Sequence, residues 1–494
     1  MVQAGSKKDL RFVIIGGGMA GILSAIKLQE AGLNNFTLYE KGDRFGGTWR
    51  ENTYPGIACD VPSHLYSYSF APNPDWSHVC SPGQEILEYF EAVANQYGVQ
   101  EFTRFGTEIT RMEFREGQWH LETDQGESDV ADFVIAASGV LHHPSYPNIA
   151  GLDEFKGTMF HSARWDHSIE LEGKRVGVIG SGSTAIQIVG ALAGKTRKLT
   201  QFQRTPQWIM PQDNFAFSDE DKQNFRDDPE ALPALRKELT AVTEGGFSAA
   251  VVGENPEALL QIGKLCRQNL EDSVLDMKLR EKLQPSYQVA CKRLIISPNY
   301  YPAIQHSDVE LVTESIKCVE AAGIRTVDGK LHEVDVLVLA TGFQVDKFLR
   351  PTEVVGRDGI TLEEAWKDRP SAYLSVMVPE FPNLVLLNGP NGPVGNFSLI
   401  DVAELQVDYF MQLVDLVRNN SCTEFSATAE SATRVEAERV EATKNTVWVS
   451  GCNSWYLDDR GIPAAWPWGM QRFRDVMSKP ALDDFELVLA AGNS

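Results

Sequence analysis

The sequence predicts a mixed α/β fold with two parallel sheets and a helical insertion. A short apolar run followed by a glycine-rich turn and a helical pattern occurs twice, at about residues 11–30 and 175–193. Each copy is followed by a second apolar run that predicts a further strand. Between about residues 213 and 290 the chain is acidic and helical in pattern, without a glycine turn of its own. We interpret that stretch as a helical excursion from the second unit.

Composition places the chain among ordinary globular proteins of two to four domains, because 43% of its 494 residues are apolar and 23% are charged. Its formal net charge is 45 − 68 = −23. Such an acidic surface repels phosphate backbones, which argues against a general nucleic-acid binder. Glycines and charges interrupt every apolar stretch before the roughly 18 residues needed to span a bilayer, so we expect no transmembrane segment.

The first glycine turn has the context of a Rossmann-type dinucleotide site. An apolar strand at residues 11–15 precedes Gly16, Gly18 and Gly21, and the next strand ends in Glu40. The first glycine makes the tight turn, the second admits a pyrophosphate and the third allows close helix packing. Glu40 is expected to hydrogen-bond a pair of ribose hydroxyls, which suits FAD; a structural turn without a ligand is the alternative.

The second glycine turn has a different ending. Where an NAD site would place an acid after the second strand, this chain has Gln203, Arg204 and Thr205. Arginine cannot accept a hydrogen bond from ribose but can pair with a 2′-phosphate, so the pattern predicts NADPH. A solvated surface charge is the alternative for Arg204. Besides Arg204 and Thr205, we assign to this site Gly180, Ser181, Gly182, Ser183, Thr184, Ala185 and Gln187.

Two further apolar strands, at residues 133–139 and 334–342, end in small residues that let a ligand approach the backbone closely. We assign both to the first unit, so that one nucleotide domain is inserted within the other. The predicted domains are a discontinuous FAD-binding domain, 1–150 and 331–494, and an NADPH-binding domain, 151–330, with its helical excursion at about 213–290.

The seven cysteines are scattered, and no CxxC spacing or Cys/His cluster indicates a disulfide framework or a metal site. We therefore expect no metal and reduced thiols in a cytoplasmic protein. The apolar run that starts at Phe12 continues directly into helical sequence, so we interpret it as a buried strand rather than a signal peptide.

One segment between the two turns resembles a known family. It contains Phe155, Gly157, His161, Trp165 and Asp166; from the residues alone, core packing is the simpler explanation. The segment is similar to FxGxxxHxxxW(P/D), the fingerprint of Baeyer–Villiger monooxygenases, flavoproteins that insert one atom of O2 beside a ketone carbonyl. The resemblance extends over about residues 10–485. For His161 it implies coupling of NADPH-domain motion to the flavin site, with a structural histidine as the alternative.

The resemblance also implies further cofactor contacts. The common Ala-Arg before Cys59 is replaced here by Ile57-Ala58, which removes an arginine contact to NADP. Ala340-Thr-Gly342 resembles the second flavin-contacting strand. The implied contacts are Gly46, Gly47, Thr48, Trp49, Cys59, Asp60 and Tyr66 around the flavin, with Ile109, Lys292, Arg293 and Trp455 elsewhere in the cofactor sites; Trp455 belongs to a mobile loop over NADP.

The family's reaction implies roles for two residues. Hydride from NADPH reduces FAD, O2 adds to give a C4a-peroxyflavin, and only its deprotonated form attacks a ketone carbonyl to yield an ester or lactone. A guanidinium at ~4 Å and an effective dielectric of ~20 contributes ~4 kcal/mol to holding that anion, or about three pKa units. We predict Arg293 for this role and Asp60 as its orienting partner. A structural salt bridge at a domain border is the alternative.

Several functions compete with this prediction. An N- or S-oxygenating flavin monooxygenase would use the protonated adduct, and an NADPH oxidase or reductase would transfer no oxygen to a substrate. A non-catalytic redox sensor would bind flavin without turnover. The predicted partners are O2 and a small apolar ketone, with NADP retained during turnover and sulfoxidation as a side activity. Neither the identity of the ketone, nor the selectivity, nor the choice between monomer and dimer can be read from the residues.

Overall fold

The computed structural model describes residues 9–489; residues 1–8 and 490–494, the ends of the predicted FAD domain, lie outside the described residues. The first part of the chain alternates strands and helices around the first glycine turn. It contains β1 (Phe12–Ile15), α1 (Met19–Glu30), β2 (Phe36–Glu40), α2 (Thr48–Glu51), α3 (Gly83–Gln96), β3 (Thr103–Phe105), β4 (Ile109–Arg115), β5 (Gln118–Thr123), β6 (Ser128–Ala131) and β7 (Phe133–Ala136).

The middle part carries the second glycine turn and a group of helices. It contains β8 (Thr158–His161), β9 (Arg175–Ile179), α4 (Ser183–Leu192), β10 (Lys198–Phe202), β11 (Ile209–Met210), α5 (Asp219–Asp227), α6 (Ala231–Thr243), a π-helical turn (Glu244–Ser248), α7 (Ala249–Val251), α8 (Pro256–Ser273), α9 (Met277–Leu283), β12 (Ile295–Ile296), α10 (Tyr300–Ile304), β13 (Val309–Val312), β14 (Ile316–Glu320), β15 (Gly323–Thr326), β16 (Leu331–Glu333) and β17 (Val336–Leu339).

The last part returns to the first sheet and ends in a helical layer. It contains β18 (Glu353–Val355), α11 (Leu362–Ala365), β19 (Leu384–Leu386), α12 (Leu399–Arg418), β20 (Glu424–Ala427), α13 (Ala429–Thr443), α14 (Met470–Ser478) and β21 (Phe485–Val488). The longest of these helices, α12, packs against α1 and α14. Its buried positions recur at helical spacing (Ile400, Ala403, Val407, Phe410, Val414 and Val417).

Two five-stranded sheets organise the molecule, in the orders β19-β7-β1-β2-β3 and β13-β10-β9-β17-β8. Every pairing within both sheets is parallel. The central strands β7, β1, β9 and β17 are buried on both faces, which explains their nearly continuous apolar sequence. The predicted α/β fold with two Rossmann-type sheets is confirmed. Helices α5 to α9 lie between the strands of the second sheet in sequence, within the stretch where helices were expected.

One strand lies in the other sheet from the one expected. β17 pairs with β9 and β8 of the second sheet, with Val336 opposite Val176 and Leu339 opposite His161. The prediction that the first domain is re-entered at residue 331, and that the strand at 334–342 belongs to it, is therefore wrong for this strand. The first sheet is completed instead by β19, which pairs with β7. An apolar strand ending in glycine suits either sheet, because its pattern carries no information about its neighbour.

One pair of cysteines also differs from expectation. Cys291 and Cys452, 161 positions apart, form a disulfide, so the prediction of reduced thiols is wrong for these two residues. The remaining five are free, and four of those are buried. Spacing could not predict the bridge, because two cysteines so far apart are brought together only by the packing of distant segments.

Residues 9–489 contain neither a membrane-spanning helix nor a cluster of metal-binding side chains. No helix there is long and apolar enough to cross a membrane. Within the same range, no group of three or more His, Cys, Asp or Glu side chains could hold a metal ion.

Candidate functional site

A cavity of about 2990 Å³ extends between the two sheets and reaches both glycine turns. Most of the predicted cofactor residues line it. Those lining it are Gly16, Gly18, Glu40, Gly46, Gly47, Thr48, Trp49, Cys59, Asp60, Tyr66, Ile109, Gly180, Ser181, Gly182, Ser183, Thr184, Gln187, Arg204, Thr205, Lys292, Arg293 and Trp455. Gly21, Ala185 and the fingerprint residues Phe155, Gly157, His161, Trp165 and Asp166 are not among the lining residues.

The first turn is built from backbone that only glycine fits. Gly16 has φ of +104°, and a Cβ there would lie 2.6 Å from the carbonyl oxygen of Ala137. A Cβ on Gly21 would overlap the carbonyl oxygen of Gly16, so helix α1 can pass closely over β1 only without a side chain. Gly18 immediately precedes α1. The turn therefore presents bare backbone and the helix N-terminus to the cavity, which suits a pyrophosphate.

Glu40 is held in place by three donors. Its Oε2 accepts from the Gly17 amide at 2.7 Å and its Oε1 from the Gly42 amide at 2.6 Å. Arg50 Nη1 lies 2.8 Å from the same Oε1, and both side chains are less than 10% exposed. An ionised carboxylate has about four acceptor sites. Glu40 is thus oriented before any ligand binds, with acceptor capacity left for a ribose hydroxyl.

The second turn repeats this geometry with different chemistry at its end. The Gly180 amide donates to the Phe202 carbonyl as that of Gly16 donates to Tyr39, at 3.1 and 2.8 Å. Gln203, the residue after Phe202, therefore occupies the place of Glu40. Its amide donates to the Lys282 carbonyl at 2.9 Å. A neutral side chain already bonded to backbone replaces the acid, so this position offers no carboxylate to a ribose.

Gly180 and Gly182 have different surroundings. Gly180 has φ of +143°, and a Cβ there would overlap the carbonyl oxygen of Ala340. A Cβ on Gly182 would meet nothing within 4 Å. Gly180 is therefore required by the protein's own packing, whereas Gly182 leaves space that a ligand can enter.

Two cations converge beside the second turn. Arg204 is exposed at the cavity, and the ammonium of Lys292 lies 5.1 Å from the ring centre of Tyr287. Burial lowers the pKa of Lys292, and repulsion from Arg204 lowers it further. An anion between two neighbouring cations stabilises both charges, so the pair fits a 2′-phosphate.

Gln187, on helix α4 of the second unit, contacts the loop at residues 54–58 of the first unit. Its Oε1 accepts from the Tyr54 hydroxyl at 2.8 Å, and its Nε2 donates to the Ala58 carbonyl at 3.0 Å. A Cβ on Gly56 would lie 2.6 Å from the Gln187 carbonyl oxygen. Although Gln187 lines the cavity, its side chain is bonded to protein, so it fixes the border between the two units.

Asp60 and Arg293, 233 positions apart, form an ion pair at that border. Arg293 Nη2 lies 2.7 Å from Oδ1 and 2.6 Å from Oδ2 of Asp60. Arg293 Nη1 lies 3.4 Å from the carbonyl oxygen of Gly395. The charge of Asp60 raises the pKa of Arg293 above its ordinary value, so the guanidinium stays charged at every working pH. The structure brings the two predicted catalytic side chains together on the cavity wall.

The aromatic residues of the first unit pack beside this pair. Trp49 Nε1 donates to the Tyr66 hydroxyl at 3.3 Å, and the two rings meet edge to face at 5.8 Å. Burial raises the pKa of the Tyr66 hydroxyl and of the Cys59 thiol. Both groups remain neutral, so Asp60 and Arg293 are the charged members of this part of the wall.

The fingerprint residues lie on and beside the edge strand β8 of the second sheet. A Cβ on Gly157 would overlap the Asp335 carbonyl oxygen, so the chain needs glycine there. His161 is 1% exposed; its Nδ1 accepts from the Ala163 amide at 3.1 Å, and burial lowers its pKa. Trp165 packs on Phe160 with ring centres 4.9 Å apart, and Asp166 is exposed. These contacts describe a neutral, structurally placed histidine.

Two contributors to the site were missed in the sequence. Arg50 holds Glu40, and no local pattern marks a side chain ten residues downstream as its partner. The Gly395 carbonyl contacts Arg293 from a turn-rich loop whose glycines and prolines equally suit an ordinary turn. The pair of residues Trp455 and Tyr456 lies over the same region, with Trp455 46% exposed and Tyr456 buried.

Comparison with known proteins identifies the family of this chain. The family model described as flavin-binding monooxygenase-like matches residues 9–215. An uncharacterised monooxygenase of Mycobacterium tuberculosis is 45% identical over 474 residues, 96% of this chain and 95% of that protein. A Baeyer–Villiger monooxygenase of Streptomyces coelicolor is 38% identical over 494 residues, 98% and 94% of the two chains. Cyclohexanone monooxygenase from Rhodococcus sp. Phi1 bound to NADP+ has a TM-score of 0.86 at 29% identity and covers 97% of this chain and 99% of its own. The chain therefore belongs to the Baeyer–Villiger family of flavin-dependent monooxygenases, whose cofactors are FAD and NADPH.

Proposed function

We propose that this enzyme converts apolar ketones to esters or lactones, with Arg293 and Asp60 as its catalytic pair. The observation that carries the proposal is their ion pair on the wall of the cavity that joins the two glycine turns. The alternative, a purely structural salt bridge, does not require the pair to face a cavity. Asp60 lies in the first unit and Arg293 in the second, so formation of the pair depends on how the two units pack together.

The residues present fit both cofactors. The first turn, with Glu40, would hold FAD, and the second, with Arg204, Thr205 and Lys292, would hold NADPH. FAD reduced by NADPH supplies the activation of O2. We place the NADPH domain at residues 151–340, so that it includes β17, and its helical excursion at 213–290.

Arg293 would keep a positive charge where negative charge develops on oxygen during attack on the carbonyl. A unit charge at ~4 Å in an effective dielectric of ~20 contributes ~4 kcal/mol. Asp60 accepts two hydrogen bonds from one guanidinium nitrogen and thereby limits rotation of that side chain. Because the guanidinium is already oriented, its effect costs little reorganisation during the reaction.

We propose a small apolar ketone as the substrate class. Apolar side chains of the helical excursion and of β11 line the part of the cavity on that side of the second unit: Met210, Val242, Phe247, Ile262 and Leu265. Such walls favour an apolar molecule with a single polar group. The name of the Rhodococcus enzyme, cyclohexanone monooxygenase, supports the same class. Sulfoxidation is proposed only as a side activity.

We also propose a cytoplasmic location, because the five free cysteines would stay reduced there. The disulfide between Cys291 and Cys452 is unusual for that compartment. Alkylation of the thiols in freshly lysed cells, followed by mass analysis, distinguishes a bridge present in the cell from one formed after lysis.

The decisive experiment supplies a panel of cyclic, linear and aromatic ketones with NADPH and ¹⁸O2, and measures the mass of each product. We expect esters or lactones that gain one labelled oxygen atom. A sulfide assayed in parallel tests the heteroatom-oxygenating alternative, which predicts a labelled sulfoxide and no ester. NADPH consumption that yields hydrogen peroxide and no oxygenated product with any ketone would overturn the proposal in favour of an oxidase.

A further inference from the structure

The segment between α13 and α14 is attached to the segment before β12 that carries Arg293. Cys452 in that segment is bonded to Cys291, two residues before Arg293. Cys291 is fully buried and Cys452 is 7% exposed. Ala290, next to the bridge, has a left-handed φ of +63°, which is uncommon for a residue other than glycine. The bridge therefore joins two segments close to the catalytic pair.

Tyr456 belongs to the same segment and is 4% exposed. Its ring packs against Trp448 and Trp455, with centres 5.3 and 4.1 Å away. It shares an apolar cluster with Ala290 and with Val251 of helix α7. The ring is thus fixed from several sides, and this packing determines where its hydroxyl lies.

That hydroxyl lies beside the Arg293 guanidinium. Arg293 Nη1 is directed toward the Gly395 carbonyl at 3.4 Å. A Cβ built on Gly395 would overlap the Tyr456 hydroxyl oxygen, so hydroxyl and guanidinium meet over the same residue. Asp60 and, to a lesser extent, Tyr456 raise the pKa of Arg293, as expected for groups that lie beside the guanidinium. Burial raises the pKa of Tyr456, so the hydroxyl is neutral at working pH and interacts with the cation without cancelling its charge.

We propose that Tyr456 is a positioning residue for Arg293 and that the Cys291–Cys452 disulfide holds it in place. This inference rests on the proposed function of Arg293. Asp60, Gly395 and Tyr456 then contact the guanidinium from three separate segments of the chain. A guanidinium has five N–H donors in a rigid plane, so contacts on different sides define its orientation more closely than Asp60 alone.

The bridge limits how far Tyr456 can move. Tyr456 is four positions after Cys452, and an extended chain of that length reaches at most about 14 Å. A dithiol reductant would reverse this restraint: it donates two electrons and two protons, the S–S bond breaks, two thiols form, and the dithiol becomes a cyclic disulfide. We expect the reduced protein to keep its fold and cofactors but to hold Arg293 less firmly.

The first test compares Tyr456→Phe with the wild type and with the control Tyr97→Phe, whose half-buried ring packs on Phe70 in the first unit. Loss of a polar contact to a charged group predicts about tenfold slower ester formation in Tyr456→Phe. We expect more hydrogen peroxide per NADPH consumed, unchanged anaerobic flavin reduction by NADPH, and a higher pH for half-maximal ester formation. A merely structural role would lower stability or FAD content without moving that pH.

The second test concerns the bridge and uses Cys452→Ser, with Cys318→Ser as the control at a free, half-buried cysteine. Cys452→Ser and dithiothreitol-treated wild type should show the same rise in hydrogen peroxide per NADPH, and dithiothreitol should have no further effect on Cys452→Ser. Thiol alkylation with mass analysis should count five reactive cysteines in the untreated denatured wild type and seven after reduction. Because reduction acts on folded wild-type protein, the test does not depend on folding of the variant.

The outcomes are separable. A wild type that forms no ester with any ketone contradicts the proposed function itself. A wild type that forms ester, together with a Tyr456→Phe variant of equal yield and equal pH midpoint, overturns the role of Tyr456. If seven thiols are free without reductant, or reduction leaves the peroxide yield unchanged, the disulfide does not hold Tyr456.

Discussion

The two nucleotide clefts share one backbone design and differ in the chemistry at the end of their second strands. In each, a glycine of positive φ packs against the residue that follows one neighbouring strand, Ala137 or Ala340, and its amide donates to the end of the second strand, at Tyr39 or Phe202. The first cleft then places Glu40, which is buried and bound by two amides and Arg50. The second places Gln203 and the exposed Arg204. We therefore propose that the same strand–turn–helix unit selects different cofactors through one or two side chains.

The clefts also differ in whether protein contacts orient their cofactor-binding side chains before the cofactor binds. Glu40 has protein partners that orient it without a ligand. Arg204 and Lys292 repel each other, and an anion bound between them would reduce that repulsion. We therefore expect changes in the first cleft to affect folding and binding together, and changes in the second to affect mainly cofactor selectivity.

The largest effect is expected from Glu40→Ala. Removal of the carboxylate leaves the buried Arg50 with Glu51 as its remaining carboxylate and two amides without their acceptor, at a cost of about 3 kcal/mol in the free energy of unfolding. FAD content should fall with it. Urea denaturation and flavin absorbance measure the two effects, with Glu30→Ala, an exposed acid on α1, as the control. Full FAD occupancy and unchanged stability would show that Glu40 is dispensable to the first cleft.

Arg293→Ala removes the ion pair with Asp60 at the border between the two clefts. We expect ester formation to fall by about 100- to 1,000-fold, the range found when one group that stabilises developing charge is removed, while NADPH is still consumed and hydrogen peroxide released. Product analysis by gas chromatography measures the first and a peroxide assay the second. Arg325→Ala, which breaks a half-exposed ion pair with Glu320, is the matched control. Ester formation near the wild-type rate in Arg293→Ala would refute the catalytic role.

Arg204→Ala should act on the second cleft alone. The KM for NADPH is expected to rise by about 10- to 100-fold through loss of a charge-assisted contact to phosphate, whereas the KM for NADH should change little. FAD content should remain that of the wild type. Arg197→Ala, an exposed arginine of the same domain, is the control. Equal effects on both nicotinamide cofactors would mean that Arg204 does not read the 2′-phosphate.

The smallest effect concerns pH and a histidine on the wall of the shared cavity. His142, on the cavity wall, has its pKa lowered to about 4, chiefly by burial. Between pH 6.5 and about 4 the unfolded chain therefore binds a proton that the folded chain does not, so stability falls as pH falls through that window and is fully present above it. His142→Gln should remove about 2 kcal/mol of this loss, measured by urea denaturation at pH 7 and pH 4.5. His167→Gln, at an exposed histidine, is the control.

Much of the architecture could be predicted because it is encoded locally. An apolar strand, a glycine turn and an amphipathic helix follow from short-range sterics and burial, so both Rossmann-type units and their helical excursion were visible in the pattern. The end of each second strand is also local, and Gln203 proved to occupy the place of Glu40. By contrast, the prediction for β17 is wrong, because the sequence of a strand does not determine which strand pairs with it.

The site residues also divide into those that the sequence predicts and those whose roles depend on distant segments. Asp60 and Arg293 are predicted through a family resemblance, and their charges alone favour a structural salt bridge. The roles of Arg50 and Gln187 were not predicted, because each depends on a partner in another segment. His161 is placed by the structure within the second unit, away from the cavity wall.

The sequence by itself determined the two glycine turns, the acid at the end of one second strand and the arginine at the end of the other, because these depend on neighbours in the chain. Only the tertiary structure decided that Asp60 and Arg293 meet, that Cys291 is bonded to Cys452, and that β17 extends the second sheet. Each of these joins residues far apart along the chain, and the free energy that brings them together comes from packing of the whole molecule.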